Sequence, residues 1–122
     1  KIVNRGFQTY SCSGTPVDCI VFAYNNYLAG DFDVILSGIN IGPNLGTDIL
    51  YSGTAAAARQ GALKHVPSIA LSLNQFHPPF NFDSASLYLS KHLETLVSLW
   101  EDSCFLNINF PSDVSHTTEM KW

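Results

Sequence analysis

Residues 33–37, DVILS, run into an 18-residue stretch at 37–54, SGINIGPNLGTDILYSGT, which is followed by four consecutive alanines. An apolar run this short suits a strand covered on both faces and is too brief for a core helix. The stretch after it holds four glycines, two asparagines and a single charge, Asp48, and reads as a long polar loop. Segment 54–64, with its alanines and Gly61, reads as a helix able to lie close to a sheet, ending near His65 and Pro67. Strand, loop and helix in this order make one βα unit. A loop of this length is unusual in a compact domain unless it holds something.

The same order recurs along the chain. Residues 7–12 alternate as a short strand, and Thr15, Pro16 and Asp18 then mark a helix start: a cap, a proline at the first helical position and an acid at the third. That helix is expected over 16–28, stopping at Gly30. In segment 68–73, Ile69, Leu71 and Leu73 alternate with Ala70 and Ser72, as in a strand. Leu89, Leu93, Leu96, Val97 and Trp100 share one face of a helix over 83–101, with Asp83 or Ser84 as cap. Segment 104–110 closes the series as a strand, stopped by Pro111. The order β-α-β-loop-α-β-α-β predicts an α/β fold: a mostly parallel sheet, helices on both faces and right-handed crossovers.

With 122 residues, 46% of them hydrophobic, the chain fits one domain. Segment 1–111 forms that domain, and the polar segment 112–122 reads as an arm or the start of one. The direct opening into a strand and the unpartnered aromatic at Trp122 suggest an incomplete domain. Only 13% of residues are charged and the net charge is −4. With no basic stripe, long nucleic acid is excluded as a partner, while a mononucleotide is not. Cys12, Cys19 and Cys104 lack C-x-x-C spacing and read as buried free thiols of a reducing compartment. No apolar run reaches membrane-spanning length, so the reading is a soluble, cytoplasmic protein without a membrane partner.

In an open α/β sheet, ligands bind at the carboxyl ends of strands, where loops feed helix N-termini. Ser52, Gly53 and Thr54 stand at such a start, where free N–H groups, the helix dipole and two hydroxyls attract a phosphate. Asn40 and Asn44 supply neutral amides that could ligate a hard cation or hydrogen-bond a phosphate. The alternative for each is ordinary: Ser52 or Thr54 as an N-cap, and Asn and Gly as loop formers. Neither a Walker A loop nor a G-x-G-x-x-G fingerprint is present. Asp31 and Asp33 lie at the far end of the strand and read as turn residues. His77, beside Pro78 and Pro79, is a loop histidine near the strand ends. His65, His92 and His116 have no metal-ligand spacing. Asn107 and Asn109 share one face of the last strand and suit structural hydrogen bonding.

The segment SGINIGPNLGTDILYSGT resembles the signature loop of the SurE family of metal-dependent 5′/3′-nucleotidases, the stationary-phase survival proteins. GTPVDC at 14–19, PSIALS at 67–72 and FLNINFP at 105–111 resemble further segments of that family, in the family's order. The resemblance implies a Rossmann-like α/β/α sandwich, here incomplete. It also implies a magnesium or manganese ion and hydrolysis of nucleoside monophosphates, with polyphosphate as a further substrate. Asn40 matches the family's asparagine metal ligand, and Asn44, Ser52, Gly53 and Thr54 match the phosphate-binding wall. The family's Asp-Asp pair and metal-binding serine have no counterpart in these residues, so the chain is expected to be inactive alone. A homodimer or homotetramer is implied for the whole protein. The alternative is a non-catalytic phosphate- or nucleotide-binding or assembly module.

Overall fold

The structure is a computed structural model that describes residues 1–26 and 32–122. Two strands, β1 (Ile2–Gly6) and β2 (Thr9–Cys12), precede helix α1 (Pro16–Asn26); strand β3 (Ile35–Ile41) leads to helices α2 (Asp48–Tyr51) and α3 (Gly53–Ala62). Strand β4 (Ser68–Leu73), helix α4 (Phe82–Ser98) and strand β5 (Leu106–Phe110) follow. The α/β expectation holds: β3, β4 and β5 form a parallel sheet in that order, with helices on both faces.

The two faces of β4 explain the layering. All six of its residues are buried. Ile69, Leu71 and Leu73 form a core with Ala85, Tyr88, Leu89 and Leu96 of α4, closed by Phe110 and Val114. The alternate residues, Ser68, Ala70 and Ser72, are small. Against that side lies α3, whose Ala55, Ala57, Ala58 and Ala62 are buried. Gly61 brings this helix closest, because a Cβ there would strike Ser68 Oγ and come within 2.6 Å of Ile35 Cδ1. A thick apolar layer therefore joins α4 to the sheet, and a thin one joins α3.

The structure corrects several expectations. Segment 7–12 does not lead into the parallel sheet: Thr9–Cys12 pairs antiparallel with Ile2–Gly6, and the turn between them uses Phe7 and Gln8 at φ 48° and 58°. Such turns normally signal themselves through Asn or Gly at both central positions, and this one has neither. The strand expected at 33–37 begins at Ile35 and runs on to Ile41, taking the first residues of the long loop with it. Helix α4 stops at Ser98, with Asn81 at its N-cap and no side-chain cap bond. The end of the first helix expected at 27–30, and the turn residue Asp31, lie outside the described residues.

Crossover handedness also departs from expectation. β3, β4 and β5 are added in one direction, with α3 on one face and α4 on the other. Crossovers that step the same way on opposite faces have opposite hands, so one of the two is left-handed. The cysteines are not buried either. Cys12 is half-buried and Cys19 and Cys104 are exposed, because α1 buries no residue and Cys104 sits in the turn after α4.

Gly61→Val would push α3 off the small face of β4. Overpacking of this kind costs about 1–3 kcal/mol. Urea denaturation should show a loss in that range, with the helical circular-dichroism signal of the folded state retained.

Candidate functional site

The site begins with a bulge in β3. Ser37 pairs with Ala70, but the next pair is Asn40 with Ser72, so β3 carries one extra residue there. Gly38 makes this possible: its φ is +131°, and a Cβ at this position would collide with the Leu71 carbonyl oxygen. The bulge re-aims Asn40 at the carboxyl end of the strand. Its Nδ2 donates to Gly42 O at 2.9 Å, which leaves the amide oxygen as the atom available to a cation. Gly42 is itself buried, with φ +87°, and its N–H donates to Gln75 O at 3.1 Å, tying the loop to the segment after β4.

Two residues on, Asn44 is seized from three sides. Its N–H donates to Asn109 Oδ1 at 2.8 Å, and its carbonyl accepts from Asn107 Nδ2 at 2.8 Å and Asn109 Nδ2 at 3.2 Å. Its side-chain Nδ2 donates to Ser72 Oγ at 2.6 Å. Asn44 is 6% exposed, and its side-chain nitrogen is committed to Ser72. Its partners come from the polar alternates of β4 and β5, while Leu106, Ile108 and Phe110 turn to the α4 core. The structural hydrogen bonding read for Asn107 and Asn109 is thus present, although Asn107 Oδ1 is buried without a partner. Ser72, which the sequence reading took as a strand residue, is the partner it missed. No sequence signal distinguishes it from Ser68.

The helix start at the far end of the loop is ordered by Ser52. This residue is the N-cap of α3: its Oγ accepts from Ala55 N at 3.1 Å and its carbonyl from Ala56 N at 2.9 Å. The N–H groups of Gly53 and Thr54 head the helix. Gly53 also meets the neighbouring helix, because a Cβ there would lie 3.0 Å from Pro16 Cγ. The start of α1 is capped by its own acid: Asp18 Oδ2 accepts from Thr15 N at 2.6 Å and Thr15 Oγ1 at 2.8 Å. The Thr15 hydroxyl, and then its N–H, hold the Asp18 carboxyl below its usual value of 3.8.

The remaining sequence candidates lie elsewhere. His65, at φ 60° just beyond α3, bonds Asp102 Oδ1 through Nδ1 at 2.7 Å. His92 packs on Tyr88 with ring centroids 4.3 Å apart, and His77 is exposed. Among the described residues, no group of three or more His, Cys, Asp or Glu is placed to hold a metal ion.

The family model for survival protein SurE matches residues 1–122. This chain belongs to the SurE family. A 5'-nucleotidase SurE of Prochlorococcus marinus (strain AS9601) is 43% identical over 124 aligned positions, covering 100% of this chain and 46% of that protein. A 5'-nucleotidase SurE of Wolbachia pipientis subsp. Culex pipiens (strain wPip) is 40% identical over 113 positions, 92% of this chain and 44% of that protein. The crystal structure of the SurE protein from Aquifex aeolicus superposes with a TM-score of 0.85 at 32% identity, covering 95% of this chain and 48% of that one. The chain spans about half the length of the curated relatives it matches.

Two outcomes follow from this SurE geometry. Asn109→Ala strips the acceptor from the buried Asn44 N–H, and an orphaned buried donor costs about 1–3 kcal/mol. Chemical denaturation should register that loss, with the loop at 42–52 exchanging its amide hydrogens faster than α4. The second concerns Asp18. Because its folded-state value is depressed, its contribution to stability is complete above 3.8 and is lost as pH falls through the lower folded value. In a carboxyl-detected NMR titration, Thr15→Val should move the Asp18 midpoint upward, back towards 3.8.

Proposed function

We propose that the protein carrying this segment is a divalent-metal-dependent phosphomonoesterase that hydrolyses nucleoside 5′- or 3′-monophosphates to nucleoside and phosphate. The observation that carries the reading is the S-G-I-N bulge at the end of β3, where Asn40 commits its amide nitrogen to Gly42 and keeps its oxygen for a ligand, in a chain related throughout to proteins named 5'-nucleotidase SurE.

The residues present fit one part of a metal centre. An asparagine oxygen is a hard, neutral donor of the kind magnesium or manganese accepts. Asn40 would hold the ion together with carboxylates supplied from outside these 122 residues. When bound, such an ion polarises a phosphate oxygen and lowers the pKa of a bound water. This chain's own work is binding and orientation. The Gly53 and Thr54 N–H groups and the Ser52 and Thr54 hydroxyls receive the phosphate, where they neutralise charge on its oxygens. Asn44, fixed by its backbone bonds between the two, joins the same phosphate-binding wall. Polyphosphate fits the same oxygen-binding wall as a further substrate. The 122 residues alone are expected to bind phosphate without hydrolysing it. A cytoplasmic location and a homodimer or homotetramer complete the reading, and no helix among the described residues is long and apolar enough to cross a membrane.

The test measures phosphate release from adenosine monophosphate by the whole protein, with magnesium or manganese and after chelation. Release should require the metal, and Asn40→Ala should lower the metal-stimulated rate by about a hundred-fold or more. Undiminished activity in that variant removes Asn40 from the metal centre. Release that survives chelation removes the metal from the reaction.

A further inference from the structure

Beside Asn40, the rim of the site carries an aromatic ring that the fold does not use for packing. Phe76 is 68% exposed. Its ring borders Gly42, where a Cβ would sit 3.7 Å from Phe76 Cε1 and 4.0 Å from Cδ1, and the Gly42 carbonyl in turn accepts from the Asn40 amide. Phe76 is therefore separated from the proposed metal ligand by a single glycine. A lone exposed apolar side chain needs no explanation. This one stands on a braced segment. The preceding residue, Gln75, accepts from Gly42 N through its carbonyl, donates to Pro79 O at 3.1 Å and accepts from Asn81 N at 3.0 Å. The backbone under the ring is pinned to β3 on one side and to the start of α4 on the other.

An exposed aromatic ring on a braced backbone, one glycine away from the Asn40 amide, matches the two-part chemistry of a nucleotide. The polar groups receive the phosphate, and an aromatic ring receives a base through stacking and exclusion of water. Tyr51, by contrast, is 88% exposed at the end of a helix of four residues. We propose that Phe76 is the platform on which the nucleobase of the substrate stacks, an assignment that rests on the nucleotidase reading above. Stacking uses the π face that every base has, so the platform selects for the presence of a base rather than for one base, with purines favoured over pyrimidines.

The experiment compares the whole protein with Phe76→Ala and Phe76→Trp, in the same metal, on adenosine monophosphate and on ribose 5-phosphate, which carries the phosphate and sugar without a base. Phe76→Ala should raise KM for adenosine monophosphate by about ten-fold or more, the range of one base–aromatic stack, with kcat within about two-fold. Its kinetics on ribose 5-phosphate should match the parent, and Phe76→Trp should keep KM for adenosine monophosphate near the parental value. An equal loss on both substrates, or no change on adenosine monophosphate, overturns the platform and leaves the nucleotidase reading standing. If the parent releases phosphate from neither substrate, both proposals fall.

Discussion

The site depends on how the sheet grips Asn44. A loop between a strand and a helix has to present polar backbone to water or bond it internally, and an unbonded buried amide costs about as much as a good hydrogen bond contributes. Here the sheet itself supplies the partners. Asn107 and Asn109 on β5 and Ser72 on β4 reach the N–H, the carbonyl and the side chain of one residue. The apolar alternates of β5 face the α4 core. A single strand, LNINF, thus anchors the core with one set of side chains and the candidate site with the other. Displacing it would disturb both together.

The thin face of β4 serves the same end. Ser68, Ala70 and Ser72 leave room for α3 to lie close, and that closeness determines where its N-terminus arrives. A bulkier β4 would move Gly53 and Thr54 away from the strand ends and put Ser72 out of reach of Asn44. Gly38 makes the matching concession in β3. Its missing side chain lets the Leu71 carbonyl approach, and the extra residue turns Asn40 outward. Small residues at Gly38, Gly61 and Ser72 therefore fix the geometry of the larger groups around them.

Much of this was legible beforehand. The alternation in SIALSL and LNINF, the alanines after Thr54 and the glycine-rich stretch between them pointed to a parallel α/β sheet with a binding loop at its strand ends. What stayed hidden follows from features that leave no local pattern. A β-bulge looks like ordinary strand or ordinary loop, so Asn40 was read in the loop and not at the end of β3. A turn built on Phe7 and Gln8 lacks the residues that announce a turn, so the pattern over 7–12 reads as a strand and β1 before it leaves no signal. Handedness depends on which face each helix packs against, and that is decided by tertiary contacts. Asn44 was legible as a polar site residue, but its commitment to Ser72 depends on a pairing 28 positions away.

The two helix starts that meet at Pro16 and Gly53 are electrostatically unequal, and this bears on where an anion would settle. Each N-terminus carries roughly half a positive charge from its aligned peptides. At α1 that charge is already answered, because Asp18 folds back onto Thr15 and remains ionised below its usual range. A second anion there would meet a carboxylate. At α3 the cap is the neutral Ser52, which satisfies Ala55 and adds no charge. With Gly53 against Pro16, the two starts lie side by side, one neutralised and the other open. Under the function proposed above, the carboxylate would disfavour a phosphate at α1, whereas the neutral cap leaves the start of α3 without a carboxylate of its own. That proposal therefore rests on the SGT start of α3 rather than the GTP start of α1, where Pro16 also lacks an N–H to donate.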